Sequence, residues 1–320
     1  MENVELDVIY EEEEIVETRK PKKPSIFKNQ RVTRNIVDVF LYILLIAASI
    51  VWLFPIVWLV ANAFRGESTG PASYFFPKEY TFNNFINLFT TTEMPYGRWF
   101  LNTLIVAIAS SVISTLIVLL TSYTFSRLDF KGRKGLMKFL MVLGMFPGFM
   151  SMIIIYNILK TIGLLPTSSE PVPDANYIIS LILVGTSGAA MGYLVSKGYF
   201  DTISKSIDEA AEIDGANKAQ IFWHIILPLS KPIVIFTALT AFMGPWGDYI
   251  FIRTINKGQV SAYNVALGLW KMINENQSYL GRYFTMFCAG SVLVSIPIVA
   301  LFMVMQRYYV SGVTGGAVKG

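Results

Sequence analysis

Long apolar runs separated by short polar segments dominate the pattern of hydrophobic and polar positions along the chain. A helix needs roughly 20 mostly apolar residues to cross a hydrocarbon core of about 30 Å. Six segments meet that requirement: residues 37–63, 101–125, 137–158, 178–199, 231–252 and 286–305. Because lipid-exposed backbone finds no water to bond, each segment is predicted to be a helix. The pattern therefore predicts an all-α integral membrane protein with six transmembrane helices.

Composition supports that class of protein. Hydrophobic residues make up 53% of the chain, charged residues only 15%, and the mean hydropathy is +0.51. Soluble domains carry about a quarter charged residues, so the chain is expected to be a multi-pass protein of the cell membrane. A net charge of +4 is too small to indicate a nucleic-acid partner. No apolar run with a small-residue cleavage site lies near the start, so the first span is expected to be retained as an anchor.

Basic residues near the span ends predict the orientation of the chain. Four lie at positions 127–134, after the second span, and three lie at positions 28–34, ahead of the first. Both segments are therefore expected on the cytoplasmic side, and an even number of spans then places the C-terminus there too. The expected organisation is a disordered cytoplasmic tail over residues 1–35, a transmembrane domain over 36–305 and a cytoplasmic tail over 306–320.

Few residues offer catalytic or metal-binding chemistry. The chain has one cysteine, Cys288, and one histidine, His224, which excludes an internal disulfide and multi-histidine metal sites. It has no G-x-x-x-x-G-K-S/T phosphate loop, and charges deep in the spans are nearly absent. Asp248, near the outer end of the fifth span, is interpreted as a helix-end residue satisfied by neighbouring backbone, with a role facing a translocation path left open. We expect a protein that is not an enzyme, with no cofactor and no metal.

The polar connector over residues 201–230 is the exception among these hydrophobic spans. Its composition from residue 203 to 219 favours a helix, and Gly215 after Asp214 is a plausible helix stop with positive φ. A second short stretch, residues 219–226, is expected to end before Pro228. The first helix is predicted to place five apolar residues largely on one face and three acids off it. The apolar set is Ile203, Ile207, Ala210, Ala211 and Ile213, and the acids are Asp208, Glu209 and Glu212.

This pattern predicts a cytoplasmic helix-turn-helix that a partner protein docks on. The small side chains of Ala210 and Ala211 allow close approach, and Glu209 offers a carboxylate to a cation of the partner. The alternative is an amphipathic helix embedded in lipid. Acidic side chains facing an anionic inner leaflet disfavour that alternative.

The connector resembles the EAA loop of permease subunits of ABC importers. The shared pattern is Glu209-Ala210-Ala211, then Gly215 after three residues, then Ile225-x-Leu227-Pro228 after nine more. The likeness covers residues 36–320 and is strongest to carbohydrate-importer permeases of the maltose type, the binding-protein-dependent inner-membrane components. Further matching segments are Asn102-Thr103-Leu104, Arg127-x-x-Phe130-x-Gly132-Arg133, Pro147 and the glycine-rich tail from Gln306 to Gly320. Trp246-Gly247-Asp248 departs from the Trp-Asn-Asp frequent in that family.

The resemblance implies a transport mechanism powered by a separate subunit. The implied partners are an ABC ATPase dimer, a second permease subunit, an extracellular solute-binding protein, the lipid bilayer and a carbohydrate substrate. Malto-oligosaccharide is the best guess because of the tail. The implied ATPase-coupling residues are Glu209, Ala210, Ala211, Asp214, Gly215, Leu227 and Pro228, and a possible second contact lies at Gly315, Gly316 and Lys319. An importer for a non-sugar solute and a self-contained channel or secondary transporter are the alternatives.

Overall fold

A computed structural model describes residues 26–146, 148–167, 172–256 and 258–317. The chain divides into two compact units, residues 1–56 and residues 57–320. The first contains helix α1 (Ile26–Ala63) as far as Ile56, and the rest of α1 and all later helices belong to the second. Residues 1–25 of the predicted N-terminal tail lie outside the described residues, and α1 begins at Ile26.

The described residues form helices and contain no named β-strand. The α-helices are α1 (Ile26–Ala63), α2 (Asn83–Thr90), α3 (Tyr96–Arg127), α4 (Arg133–Gly144), α5 (Gly148–Thr161), α6 (Asp174–Ser187), α7 (Tyr193–Asp201), α8 (Lys205–Ile213), α9 (Lys218–Gln220), α10 (Leu227–Leu229), α11 (Lys231–Gly247), α12 (Ile250–Ile255), α13 (Val265–Asn274) and α14 (Gln277–Ala317). Turns of 3₁₀-helix cover Ala189–Gly192 and Val260–Ala262, and a π-helix covers Ile221–Ile226.

Four helical segments in the described part of the chain are long and apolar enough to cross a membrane: Arg34–Ala63, Tyr96–Arg127, Asp174–Asp201 and Gln277–Gln306. A fifth results if Lys218–Leu229 and Lys231–Gly247, which meet at an 85° bend, are counted as one span. The predicted span 137–158 is divided between α4 and α5. The division falls next to Pro147, where a helix is disfavoured for the preceding residue. Six spans therefore remain a prediction.

Helix α3 lies at the centre of the second unit and packs against α6, α7 and α11. Serine residues on α3 allow this close packing, because their small side chains let the helix backbones approach each other. The Ser122 hydroxyl donates to the carbonyl of Tyr193 at 3.0 Å, and the Ser114 hydroxyl donates to that of Gly185 at 3.4 Å. Both serines are buried. The C-terminal end of α3 is thereby held against α7, which leads directly into α8.

The N-terminal end of α3 organises the loop that precedes α13. The Asn102 amide donates to the carbonyls of Ser261 and Tyr263 at 3.0 and 2.9 Å. The Thr103 hydroxyl accepts the Val265 N–H at 2.8 Å. These contacts give the Asn102-Thr103 pair a structural role, which is to fix the backbone of residues 261–265.

Aromatic residues of the predicted outer segments are buried more deeply than their sequence suggests. Tyr96 and Trp99 are fully buried and Tyr263 is nearly so, although aromatic residues beside membrane spans are usual in an interface belt. Trp99 packs on α13, and the Tyr96 hydroxyl donates to the carbonyl of Gly290 on α14 at 2.8 Å. A Cβ at Gly268 would lie 2.0 Å from the Trp99 ring, so only glycine fits there.

Candidate functional site

Helix α8 is the first arm of the predicted helix-turn-helix, and both of its ends are capped. The Ser204 side chain accepts the Ser206 N–H at 3.3 Å at the start of the helix. At its end Gly215 adopts a φ of +88°, and its N–H donates to the backbone carbonyl of Glu212. The Ala216 N–H donates to the backbone carbonyl of Ala211 at 2.9 Å. This pair of bonds is the Schellman arrangement, which favours glycine at the left-handed position. The predicted helix stop at Gly215 is confirmed.

The second arm runs from Lys218 to Leu229. Asn217 and Gln220 form a capping box, with side chain to backbone bonds of 2.9 and 2.8 Å. Pro228 does not end this arm before the next span as predicted, because the helix continues to Leu229 and the break falls at Ser230. The preceding turns widen into a π-helix, in which the Leu227 N–H donates to the carbonyl of Phe222. Pro228 has no N–H to donate, and its ring crowds the carbonyl four residues earlier, so a regular α-helical turn is disfavoured there.

The predicted apolar face of α8 is wrong in part. The face that packs on the protein contains Asp208 and Ala211, which is 8% exposed. Ile213 is 87% exposed although it was grouped with the apolar side. Glu209 and Ala210 are also exposed. Of the two alanines expected to meet a partner, only Ala210 is therefore accessible in this chain.

A buried ion pair explains why Asp208 faces inward. Its Oδ2 lies 3.0 Å from Nε of Arg127, the last residue of α3, and the two side chains are only 10% and 3% exposed. Burial raises the pKa of the Asp208 carboxyl, and the adjacent guanidinium opposes that rise. Arg127 also donates through Nη2 to the carbonyls of Phe200 and Ile203 at 3.1 and 2.8 Å. A single guanidinium thus joins α3, the end of α7 and α8. Sequence reasoning missed this pair because its members lie far apart in the chain.

Further contacts fix the connector to the same end of α3. The Ser126 hydroxyl donates to Asp201 Oδ1 at 2.6 Å, and the Tyr123 hydroxyl donates to the carbonyl of Lys218 at 3.1 Å. The rings of Tyr123 and Phe222 lie 4.9 Å apart. Ala211, half-buried Leu227 and the π-helix pack in one apolar cluster with the end of α3. Both arms therefore have a rigid attachment to a membrane-spanning helix.

The outward surface of α8 combines an exposed apolar side chain with exposed acids. We call Glu209, Ala210, Ile213, Asp214 and Gly215 the α8 face, and all five are exposed. Glu212 forms an ion pair with Lys218, which partly neutralises its charge. Burial of Ile213 against a partner would remove its apolar area from water, which is favourable. The α8 face is thus suited to a partner that offers an apolar groove and a cation.

The remaining candidate residues lie elsewhere. Gly315 and Gly316 fall within α14, and Lys319 lies outside the described residues. Pro228 is exposed on the second arm. Among the described residues there is no group of three or more side chains that could hold a metal ion. Asp248 follows α11, and its Oδ1 accepts the Phe251 N–H at 3.2 Å, as expected for a helix-end residue.

Comparison with known proteins gives concordant matches. Residues 117–315 match the family described as binding-protein-dependent transport system inner membrane component. The galactooligosaccharides transport system permease protein GanQ of Bacillus subtilis is 33% identical over 91% of this chain and 99% of its own. The maltodextrin transport system permease protein MalD of Streptococcus pneumoniae is 34% identical over 91% and 98%.

A solved structure shows the same fold. It is a bacterial ABC transporter involved in the import of the acidic polysaccharide alginate, with a TM-score of 0.70, 20% sequence identity, and coverage of 87% of this chain and 98% of that one. The relatives are named as permeases, so the chain is a transport component and not an enzyme. The chain belongs to the family of binding-protein-dependent transport system inner membrane components and is a multi-pass protein of the cell membrane.

Proposed function

We propose that this chain is a permease subunit of an ATP-driven ABC importer for a sugar or oligosaccharide, and that the α8 face is its docking point for the ATPase. The observation that carries this proposal is the combination of an 87% exposed Ile213 with a helix anchored to α3 through buried Arg127. A helix that is exposed on one face and fixed on the other can pass a partner's movement into the membrane domain.

The docking geometry follows from the α8 face. Glu209 would pair with a cation of the ATPase, and Ala210 and Gly215 would allow its surface to approach closely. Ala211, Leu227 and Pro228 would act mainly by shaping the two arms, since Ala211 and Leu227 pack inside the chain. Asp214 would lie at the rim of the contact. Gly315, Gly316 and Lys319 form a proposed second contact with the ATPase.

The remaining parts of the assembly complete the proposal. A second permease subunit would close the pore, and an extracellular solute-binding protein would deliver the sugar. We retain six spans, with both termini and residues 201–230 on the cytoplasmic side. Residues 1–35 would then be a cytoplasmic tail, residues 36–305 the permease domain and residues 306–320 a cytoplasmic tail.

The names of the relatives bear on which sugar the chain imports. The relatives are named for galactooligosaccharides and for maltodextrin, and the structural neighbour imports alginate. A carbohydrate substrate is common to all three names. Malto-oligosaccharide is our first candidate, and a non-sugar solute is the second class.

Uptake by vesicles tests the proposal. The chain is reconstituted with its partner permease, ATPase and binding protein, and ATP-dependent uptake of maltotriose, galactotriose, diacetylchitobiose, an amino acid and a dipeptide is measured. We expect one sugar to be imported, with maltotriose first in rate. Import of the amino acid or the dipeptide alone would contradict the sugar assignment, and import without added ATP would contradict the importer assignment.

Substitutions of Gly215 test whether its positive φ or the space around it limits function. The space around it is open to 4 Å, so a side chain costs free energy there through the left-handed backbone and not through a clash inside the chain. Gly215→Ala is expected to destabilise the turn by about 1 kcal/mol and to lower uptake several-fold. Gly215→Asn should be milder although it is larger, because asparagine tolerates this conformation. If Asn impairs uptake more than Ala, the limit is space against the ATPase.

A further inference from the structure

A cavity of about 370 Å³ lies between α3, α6 and α11, away from the α8 face. Its polar lining consists of Thr103, Ser110, Thr240, Asp248 and Asn264, and the rest is apolar or glycine. At about 30 Å³ per water molecule the space holds roughly a dozen waters. That is ample space for one monosaccharide unit and lies within the range of about 300–1,000 Å³ usual for small-molecule sites.

Most polar groups of the lining already have intramolecular partners. The Thr103 hydroxyl donates to the carbonyl of Trp99, and that of Thr240 donates to the carbonyl of Phe236 at 2.9 Å. The Asn264 amide donates to the carbonyls of Pro245 and Asp248. These residues therefore shape the wall. The Thr103 and Thr240 hydroxyls have no hydrogen left to donate to a ligand and could only accept a bond from it.

Two polar groups of the lining are not fully used. Ser110 is 2% exposed, and its Oγ has no hydrogen-bond partner in the described part of the chain. Asp248 accepts one bond, from the Phe251 N–H to Oδ1, and among the described residues no donor bonds to its Oδ2. A buried hydroxyl without a partner loses the free energy of a hydrogen bond, which is the kind of cost that a ligand relieves.

The carboxylate of Asp248 is also unusual for its position. It is the only acid in the predicted span 231–252 and directly follows α11, and acids of membrane segments that face a cavity mark substrate or ion paths. The backbone breaks at this residue between α11 and α12. Broken helices line the substrate sites of many secondary transporters, where the freed backbone groups face a cavity.

We propose that the cavity between α3, α6 and α11 is a binding site of this subunit for one sugar unit, in which Asp248 accepts a sugar hydroxyl and Ser110 forms a second hydrogen bond. The inference rests on the proposed function, because it names where that substrate touches this chain. A neutral polyol supplies the hydroxyl donors that a carboxylate requires. A cation is disfavoured because no second acidic side chain lines the cavity.

Asp248→Asn separates the binding role from the capping role. Asparagine keeps an oxygen for the Phe251 N–H and is itself a good capping residue, but it removes the charge. The matched control is Asp129→Asn, since Asp129 lies in the connector after α3 and its side chain is 91% exposed. Ser110→Ala is the second variant, which removes the unpaired hydroxyl and little volume.

The experiment uses the complete reconstituted transporter and the sugar of the panel that the wild type imports fastest. At saturating loaded binding protein, we expect Asp248→Asn to lower uptake at least tenfold and Ser110→Ala several-fold, the scale of a lost hydrogen bond to a charged and a neutral group. ATP hydrolysis stimulated by the binding protein should stay within twofold, and Asp129→Asn should match the wild type. Both cavity variants should also discriminate less than the wild type between the sugar and one of its monodeoxy analogues.

Several outcomes would overturn the inference and leave the proposed function intact. Unchanged uptake and unchanged discrimination in both cavity variants would remove the site. So would ATP-dependent uptake by the wild type that also requires sodium ions, because the cavity would then hold a cation. If Asp248→Asn fails to assemble, discrimination by Ser110→Ala decides alone. A wild type that imports no sugar at all contradicts the proposed function instead.

Discussion

Glu209→Lys and Ile213→Asp are each expected to reduce ATP-dependent uptake by at least tenfold while the chain still inserts into the membrane. Full burial of an Ile side chain contributes about 1.5–3 kcal/mol, and an aspartate at that position must also lose its hydration on docking. Lysine in place of Glu209 would oppose the cation that this carboxylate is expected to meet. Uptake, ATP hydrolysis and copurification of the ATPase are measured on each variant.

The control for these variants is Glu275→Lys. Glu275 follows α13 and forms only a loose pair with Lys271, at 3.7 Å, so its replacement should change little. Equal loss of uptake in Glu275→Lys would show that the charge change acts generally and not through the α8 face. Normal uptake in Glu209→Lys and Ile213→Asp would remove the α8 face from the mechanism.

Asp208→Asn is expected to loosen α8 from α3. Removing one partner of a buried ion pair costs about 3–5 kcal/mol, and we expect the lower end because Arg127 keeps its bonds to two backbone carbonyls. The thermal midpoint of the purified complex should fall, and proteases should cut residues 201–217 more readily. Uptake should fall together with this loss of attachment.

Asp129→Asn is the matched control for Asp208→Asn. Asp129 pairs with Arg133 at 2.6 Å but on the surface, where such a pair contributes about 0–1 kcal/mol. The double variant Arg127→Met with Asp208→Leu removes both charges and should recover part of the thermal midpoint. A midpoint for Asp208→Asn equal to that of Asp129→Asn would show that the buried pair does not anchor α8.

The sequence predicted those parts of the site that depend on local chemistry. The stop at Gly215 follows from glycine's tolerance of positive φ, and the two-arm connector follows from composition over a few turns. The inward position of Asp208 could not be predicted, because it depends on Arg127, which lies 81 positions earlier. Periodicity assigns an acid to the outer face unless a distant partner neutralises it.

The same limit applies to the membrane domain. The apolar runs predicted where helices occur, but they did not predict that residues 137–158 divide into α4 and α5. Nor did they distinguish Trp99, which packs against Gly268, from an aromatic residue that anchors the chain at a lipid interface. The cavity at Asp248 forms where α3, α6 and α11 meet, and such a space has no signature in any one segment.

Cross-linking from position 213 tests the docking of α8 most directly. Cys288 is the only cysteine and is buried, so Ile213→Cys in a Cys288→Ala background carries one exposed thiol. In the assembled transporter this thiol should form an adduct with the ATPase through a short bifunctional reagent, with a yield that changes when ATP is added. Glu275→Cys in the same background should form none. Absence of an ATPase adduct from position 213, or an equal yield from position 275, would contradict the account.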